Sequence, residues 1–181
     1  AKTLMTAGGS ESIAASTTQY FPAYTTWLRP LTAETSMQRT YRSAGTISNL
    51  YCRISANDRG ASTYRLRVNL GNGNQSVSIG ASATGEFEDA TNTDTIAAGD
   101  EVNTSILTGS GGTVFTVSLI SVVFKATSNT VNYFSSTRGS LSNSGLTIYI
   151  PIGGPGGTTV ENAAQFQFNS AGTIKNFFVS I

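Results

Sequence analysis

The stretch SAGTISNLYCRIS, residues 43–55, returns near the end of the chain as SAGTIKNFFVSI, residues 170–181. Self-similarity over a long span restricts the architectures open to a chain, because each copy faces the same packing problem. Tyr20-Phe21 has a counterpart in Tyr133-Phe134, and Ser43-Ala44-Gly45-Thr46-Ile47 in Ser170-Ala171-Gly172-Thr173-Ile174. Asn49 matches Asn176, and Ile54 matches Ile181. Where the copies differ, apolar stays apolar: Leu50 becomes Phe177, Tyr51 becomes Phe178 and Cys52 becomes Val179. The second copy lacks everything the first has after Ser55. A half-unit leaves an apolar face and open strand edges. Three outcomes make physical sense: it packs on the first unit, strands of a neighbouring chain complete it, or the chain is part of a longer one.

The intervening pattern is that of strands. In STYRLRVNL, residues 62–70, Tyr64, Leu66, Val68 and Leu70 fall on one face and Arg65, Arg67 and Asn69 on the other. Gly71-Asn72-Gly73-Asn74 is expected to be the hairpin turn that follows, since both residue types tolerate positive φ. Ala98-Gly99-Asp100 reads as a second turn. TVFTVSLISVVFKA, residues 113–126, is long and apolar on both faces, as a central strand is. No window carries a convincing helical stripe, although a short helix or 3₁₀ turn fits residues 31–36. About eight strands between Thr18 and Ala126 match the count of an antiparallel two-sheet jelly-roll sandwich. The expected fold is therefore all-β: a flexible or docking arm over residues 1–17, a jelly-roll β-sandwich over 18–126 and a partial second repeat over 127–181.

Composition narrows the function. Of the 181 residues, 39% are apolar, enough for a core, but only 12% are charged and the formal net charge is +1. Ser, Thr, Asn and Gly fill the difference, which suits a neutral, hydrogen-bonding surface. So weak a charge gives no broad pull on nucleic acid or anionic lipid. No apolar run approaches membrane-spanning length. The N-terminus, AKTLMTAGGSES, lacks a secretory hydrophobic region, which reads as cytosolic synthesis; a leader cleaved ahead of Ala1 is the alternative.

Catalysis is poorly provided for. The chain has no histidine, so the usual general base and the usual zinc ligand are missing, and one cysteine makes neither a disulfide nor a thiolate metal site. Cys52 aligns with Val179 and reads as a small core hydrophobe. Carboxylates gather in one segment: Glu86, Glu88, Asp89, Asp94, Asp100 and Glu101. Glu86, Glu88, Asp89 and Asp94 are weak calcium candidates, without EF-hand spacing; the alternative is a solvated loop face. No catalytic residue and no cofactor is expected. Arg39, Arg42, Arg53, Arg59, Arg65 and Arg67 form a basic counterpart, which pairs with the acidic segment either within one domain or between subunits. In YFPAYTTWLRP, Tyr20, Phe21, Tyr24 and Trp27 make an aromatic group: a sugar-stacking platform, an oligomer contact or a cap on the core. The interface and ligand candidates are thus Tyr20, Tyr24, Trp27, Arg65 and Arg67. GPGGTT, residues 154–159, has no phosphate-loop lysine and reads as a wide loop. The sequons at Asn74 and Asn103 read as chance matches.

Three motifs carry a family resemblance: the "AGTISNL" strand start at 44–50, the alternating hairpin at 66–72 and the "AAGD" turn at 97–100. In this order the chain resembles jelly-roll modules of tailed-bacteriophage structural proteins, related to tumour-necrosis-factor-like modules of bacterial surface and spore-coat proteins. The resemblance spans most of residues 18–126 and the repeated fragment. It implies a self-associating, non-enzymatic virion protein, a capsid decoration (cement) or head-fibre subunit made in the host cytoplasm. Its implied partners are copies of itself, as a trimer or polymer, and major capsid or other virion proteins. Alternatives are an extracellular filament subunit joined by strand addition, and a carbohydrate-binding adhesin module.

Overall fold

Alternating apolar residues need a second sheet to cover them, and among the described residues nine strands supply two. The structure, a computed structural model, describes residues 2–23 and 30–128. In chain order the strands are β1 (Lys2–Ser12), β2 (Thr18–Pro22), β3 (Arg39–Thr40), β4 (Gly45–Asn57), β5 (Ser62–Val68), β6 (Gly71–Ile79), β7 (Gly85–Ile96), β8 (Glu101–Leu107) and β9 (Phe115–Ala126). One 3₁₀ turn, Glu34–Ser36, lies in the region expected for it. All the pairings are antiparallel. One sheet runs β1-β9-β4-β7; the other runs β2-β8-β5-β6, with β3 also against β8.

The inward residues of both sheets form one core. Ile47, Leu50, Cys52, Val117 and Val122 meet Phe21, Tyr64, Leu66, Val102 and Ile106, all without exposed surface. Cys52 is a buried free thiol whose pKa is pushed up to about 12 by desolvation, in keeping with its reading as a core hydrophobe. β9 is an interior strand between β1 and β4, as its apolar composition implied. Gly45, inside the repeated motif, sits where an added Cβ would lie 2.5 Å from the Phe124 ring and the Lys125 carbonyl, so a side chain there would push β4 off β9.

Two expectations are corrected. Residues 2–12, read as part of an arm, pair along β9 from Lys2↔Lys125 to Ser12↔Thr116 with a register shift between Gly8 and Glu11. Met5 and Ala7 face the core, and Ile13 beyond them is fully buried. Small residues and the irregularity hide the strand period in the sequence, whereas the edge of β9 supplies the backbone partners. The hairpin turn is not Gly71-Asn72-Gly73-Asn74, which begins β6; it is Asn69-Leu70, with φ of +49° and +66° and with Val68 opposite Gly71. Two positive φ values at the corner match the right-handed twist of the flanking strands. Asn69 is tied down: its backbone N–H donates to Glu101 O at 2.8 Å, its side-chain amide to Asp100 Oδ1 at 2.8 Å, and its Oδ1 accepts from Glu101 N–H at 2.9 Å. Leu70 leaves the apolar face and stands 52% exposed.

The Ala98-Gly99-Asp100 turn forms as expected. Gly99 has φ +98°, and the Asp100 carboxylate accepts from the Ala97 N–H at 2.7 Å. The second copy of the repeat, its Tyr133-Phe134 pair and GPGGTT lie outside the described residues.

Candidate functional site

The carboxylates expected as a metal set are divided between two jobs. Asp89 and Asp94 on β7 turn toward β6, the edge strand of the other sheet. Asp94 accepts from the Asn74 N–H at 2.7 Å, the Gln75 N–H at 3.2 Å and the Gln75 side-chain amide at 3.1 Å. Asp89 accepts from Ser76 N–H at 2.9 Å, Thr91 N–H at 3.2 Å and Asn92 N–H at 3.0 Å. Burial pushes the Asp89 pKa up, but the hydrogen bonds from Asn92, Ser76 and Thr91 outweigh it and hold the pKa down at about 2. These side chains occupy the outward N–H groups of an edge strand, groups that otherwise invite pairing. Glu86 and Glu88 point the other way, to the exposed face of their sheet. Among the described residues, no three His, Cys, Asp or Glu side chains gather as a metal ion requires. The four weak calcium candidates are not brought together: Glu86 and Glu88 stand on the outer face of their sheet, and Asp89 and Asp94 turn toward β6.

Gln75 is the residue that sequence reading passed over. It is fully buried and spans from one sheet to the other. Its Oε1 accepts from Leu50 N–H at 3.0 Å, and its amide donates to Ile47 O at 3.2 Å as well as to Asp94. Those backbone groups are free because β4 bulges between Ser48 and Leu50 where it meets β7. Asn49 stands at the bulge with φ +55°, a conformation asparagine tolerates. A glutamine in step with Val77 and Ile79, on the apolar parity of its strand, is the one signal that could have drawn attention to Gln75.

Of the basic and aromatic candidates that the structure describes, Arg67 and Tyr20 come together. Arg67 bridges Glu34 through Nε at 2.8 Å and Nη2 at 2.9 Å, and its guanidinium lies 5.9 Å from the centre of the Tyr20 ring. Tyr20 also pairs by backbone with Leu31. Arg65 is exposed on the same strand. Tyr24 and Trp27 lie outside the described residues. Arg59 is nearly buried and donates to the carbonyls of Gly111, Gly112 and Thr113. Beside it, the Asp58 carboxylate accepts from Thr113 and Val114 N–H groups at 2.8 and 2.7 Å. Together they clasp the β8–β9 loop to the β4–β5 turn. Asn103 of the second sequon has no exposed surface, which closes it to modification.

The outer face of the β1-β9-β4-β7 sheet carries the most exposed large apolar residue among the described ones. Leu4 is 65% exposed and lies directly opposite Val123. Tyr51 lies opposite Ser121 on one side and Glu88 on the other. Lys2, Leu4, Tyr51, Glu88, Ser121 and Val123 border one shallow depression. Charge is divided across this face. Lys2 and Lys125 stand opposite each other on β1 and β9. Glu86 and Glu88 lie along β7, with Arg53 opposite Glu86. Glu88 accepts from the Asn49 side-chain amide at 2.7 Å. The Tyr51 pKa is raised, first by partial burial and then by the Glu86 carboxylate to which its hydroxyl donates. Chemically the face offers apolar contact and complementary charge.

No protein-family model matches the chain, and no curated protein matches it.

Proposed function

We propose that the chain is a non-catalytic structural subunit that acts by associating with copies of itself, and that its sandwich is a jelly roll. Strand order supports the jelly-roll reading: from β4 on, the chain places β4 in one sheet, β5 and β6 in the other, β7 back in the first, β8 in the second and β9 in the first. Such crossing between sheets is how the fold closes over its core. The observation that carries the assembly reading is exposed Leu4, beside half-buried Val123, on the β1 side of a sheet face whose other side is already a complete core. An apolar strip rimmed by charge is the anatomy of a protein contact rather than of a reaction centre.

The biological setting we infer is a virion, as a capsid decoration or head-fibre protein. It rests on the resemblance of the strand-start, hairpin and turn motifs at 44–50, 66–72 and 97–100. Electron microscopy of the native assembly tests it. A capsid lattice or a head fibre carrying the protein is expected; a secreted helical polymer joined by strand ladders would replace this reading with the filament one. The filament alternative draws on β1, which among the described residues is an edge strand of its sheet.

A further inference from the structure

We propose, on the self-assembly reading above, that the outer face of the β1-β9-β4-β7 sheet is the docking surface for a second copy of this chain. Size favours a macromolecular occupant. Four strands at ~4.8 Å spacing and ~35 Å length present roughly 700 Å². That is close to the ~800 Å² each partner contributes to a standard interface.

Charge identifies the occupant as this chain itself. Lys2 and Lys125 are directly opposed, and like charges in that position repel. Among the described residues neither lysine has an ion-pair partner. The same face carries Glu86 and Glu88 along its far margin. A second copy that lays its acidic margin over the lysines supplies the missing counter-charge and takes Leu4 and Val123 out of water in the same movement. The face is thus complementary to itself when one copy is turned against the other. Ser121 and the hollow around it give the partner's Leu4 a place to seat.

Sedimentation of the full chain across micromolar concentrations tests the proposal. The wild type is expected to associate, and Leu4→Asp to raise the dissociation constant about tenfold, as loss of a buried apolar contact does. Lys2→Glu with Lys125→Glu, and Glu86→Lys with Glu88→Lys, are each expected to weaken association alone and to restore it when the two variants are mixed. A wild type that stays monomeric sinks the self-assembly reading itself. A wild type that associates with the same constant as Leu4→Asp and both charge variants leaves self-assembly standing and overturns this face as its site. Leu4→Cys then separates a second copy from the chain's own remaining residues. Because Cys52 is buried, the new thiol is the reactive one. Protection from alkylation that grows with protein concentration is expected; protection independent of concentration overturns the proposal, because the chain would then be covering its own face.

Discussion

At the scale of single residues, the carboxylates of β7 explain how an edge strand is kept in place. Asp94 receives three hydrogen bonds from Asn74 and Gln75, and Gln75 in turn satisfies the bulge in β4. Asp94→Ala leaves those donors without an acceptor beside the core. We expect a loss of about 3 kcal/mol, as for a buried charge-assisted contact, read from the urea midpoint; a change within experimental scatter would show that water replaces the carboxylate. Asp89 makes the pH prediction. Its folded pKa is depressed to about 2, so its contribution is complete above the ordinary aspartate value and is lost as pH falls through the folded one. Asp89→Asn should therefore be less stable than the wild type at neutral pH, and the gap should close between about pH 4 and pH 2. A gap constant over that range would count against the ionised carboxylate as the stabilising form.

At the scale of elements, the β5–β6 hairpin shows a local rule giving way to tertiary contacts. Gly71-Asn72-Gly73-Asn74 has better turn chemistry than Asn69-Leu70, yet the corner forms three residues earlier. Register explains it. Tyr64 and Leu66 must face the core while β5 pairs with β8 from Thr63↔Leu107 to Val68↔Val102. Asp100 and Glu101, at the start of β8, then grip Asn69. Gly73 is needed elsewhere, since an added Cβ would meet the Asp94 carboxylate at 2.9 Å. Leu70 bears the strain of a left-handed φ without a core contact to offset it. Leu70→Gly should raise stability by about 1 kcal/mol, seen as a higher thermal midpoint. A lower midpoint would mean that the exposed leucine makes a contact in the assembled state. The β1 strand teaches a related lesson. AKTLMTAGGSES carries little strand signal of its own, and its place is given by the edge of β9.

At the scale of the whole molecule, the two sheets are closed differently on their two sides. On one side β6 and β7 are joined by Asp89, Asp94 and Gln75. On the other, β1 and β2 are each at the end of their sheets. The docking proposed above falls on the β1 side and on the outer face beside it. If opposed charges guide docking there, association should weaken as salt is raised, because exposed pairs are screened over about 10 Å at 0.1 M ionic strength. Sedimentation at low and high salt checks this. Association that strengthens with salt would point to apolar contact alone.

How much could be read from the sequence follows from the range of each interaction. Alternation in 62–68, the apolar run at 113–126, the Ala98-Gly99-Asp100 turn and the core role of Cys52 depend on neighbours within a few residues, and each was legible. The division of Glu86 and Glu88 from Asp89 and Asp94 was not: it depends on which edge lies beside β7, and β6 comes from the other sheet. Nor was the seating of Arg67 on Glu34, two residues 33 positions apart. That the chain is built of strands with an apolar interior is written in its local pattern, because the period of side-chain direction is a local property. Which polar groups close the sandwich and which apolar ones remain on its surface emerges with the fold, because both depend on strands brought together from distant parts of the chain.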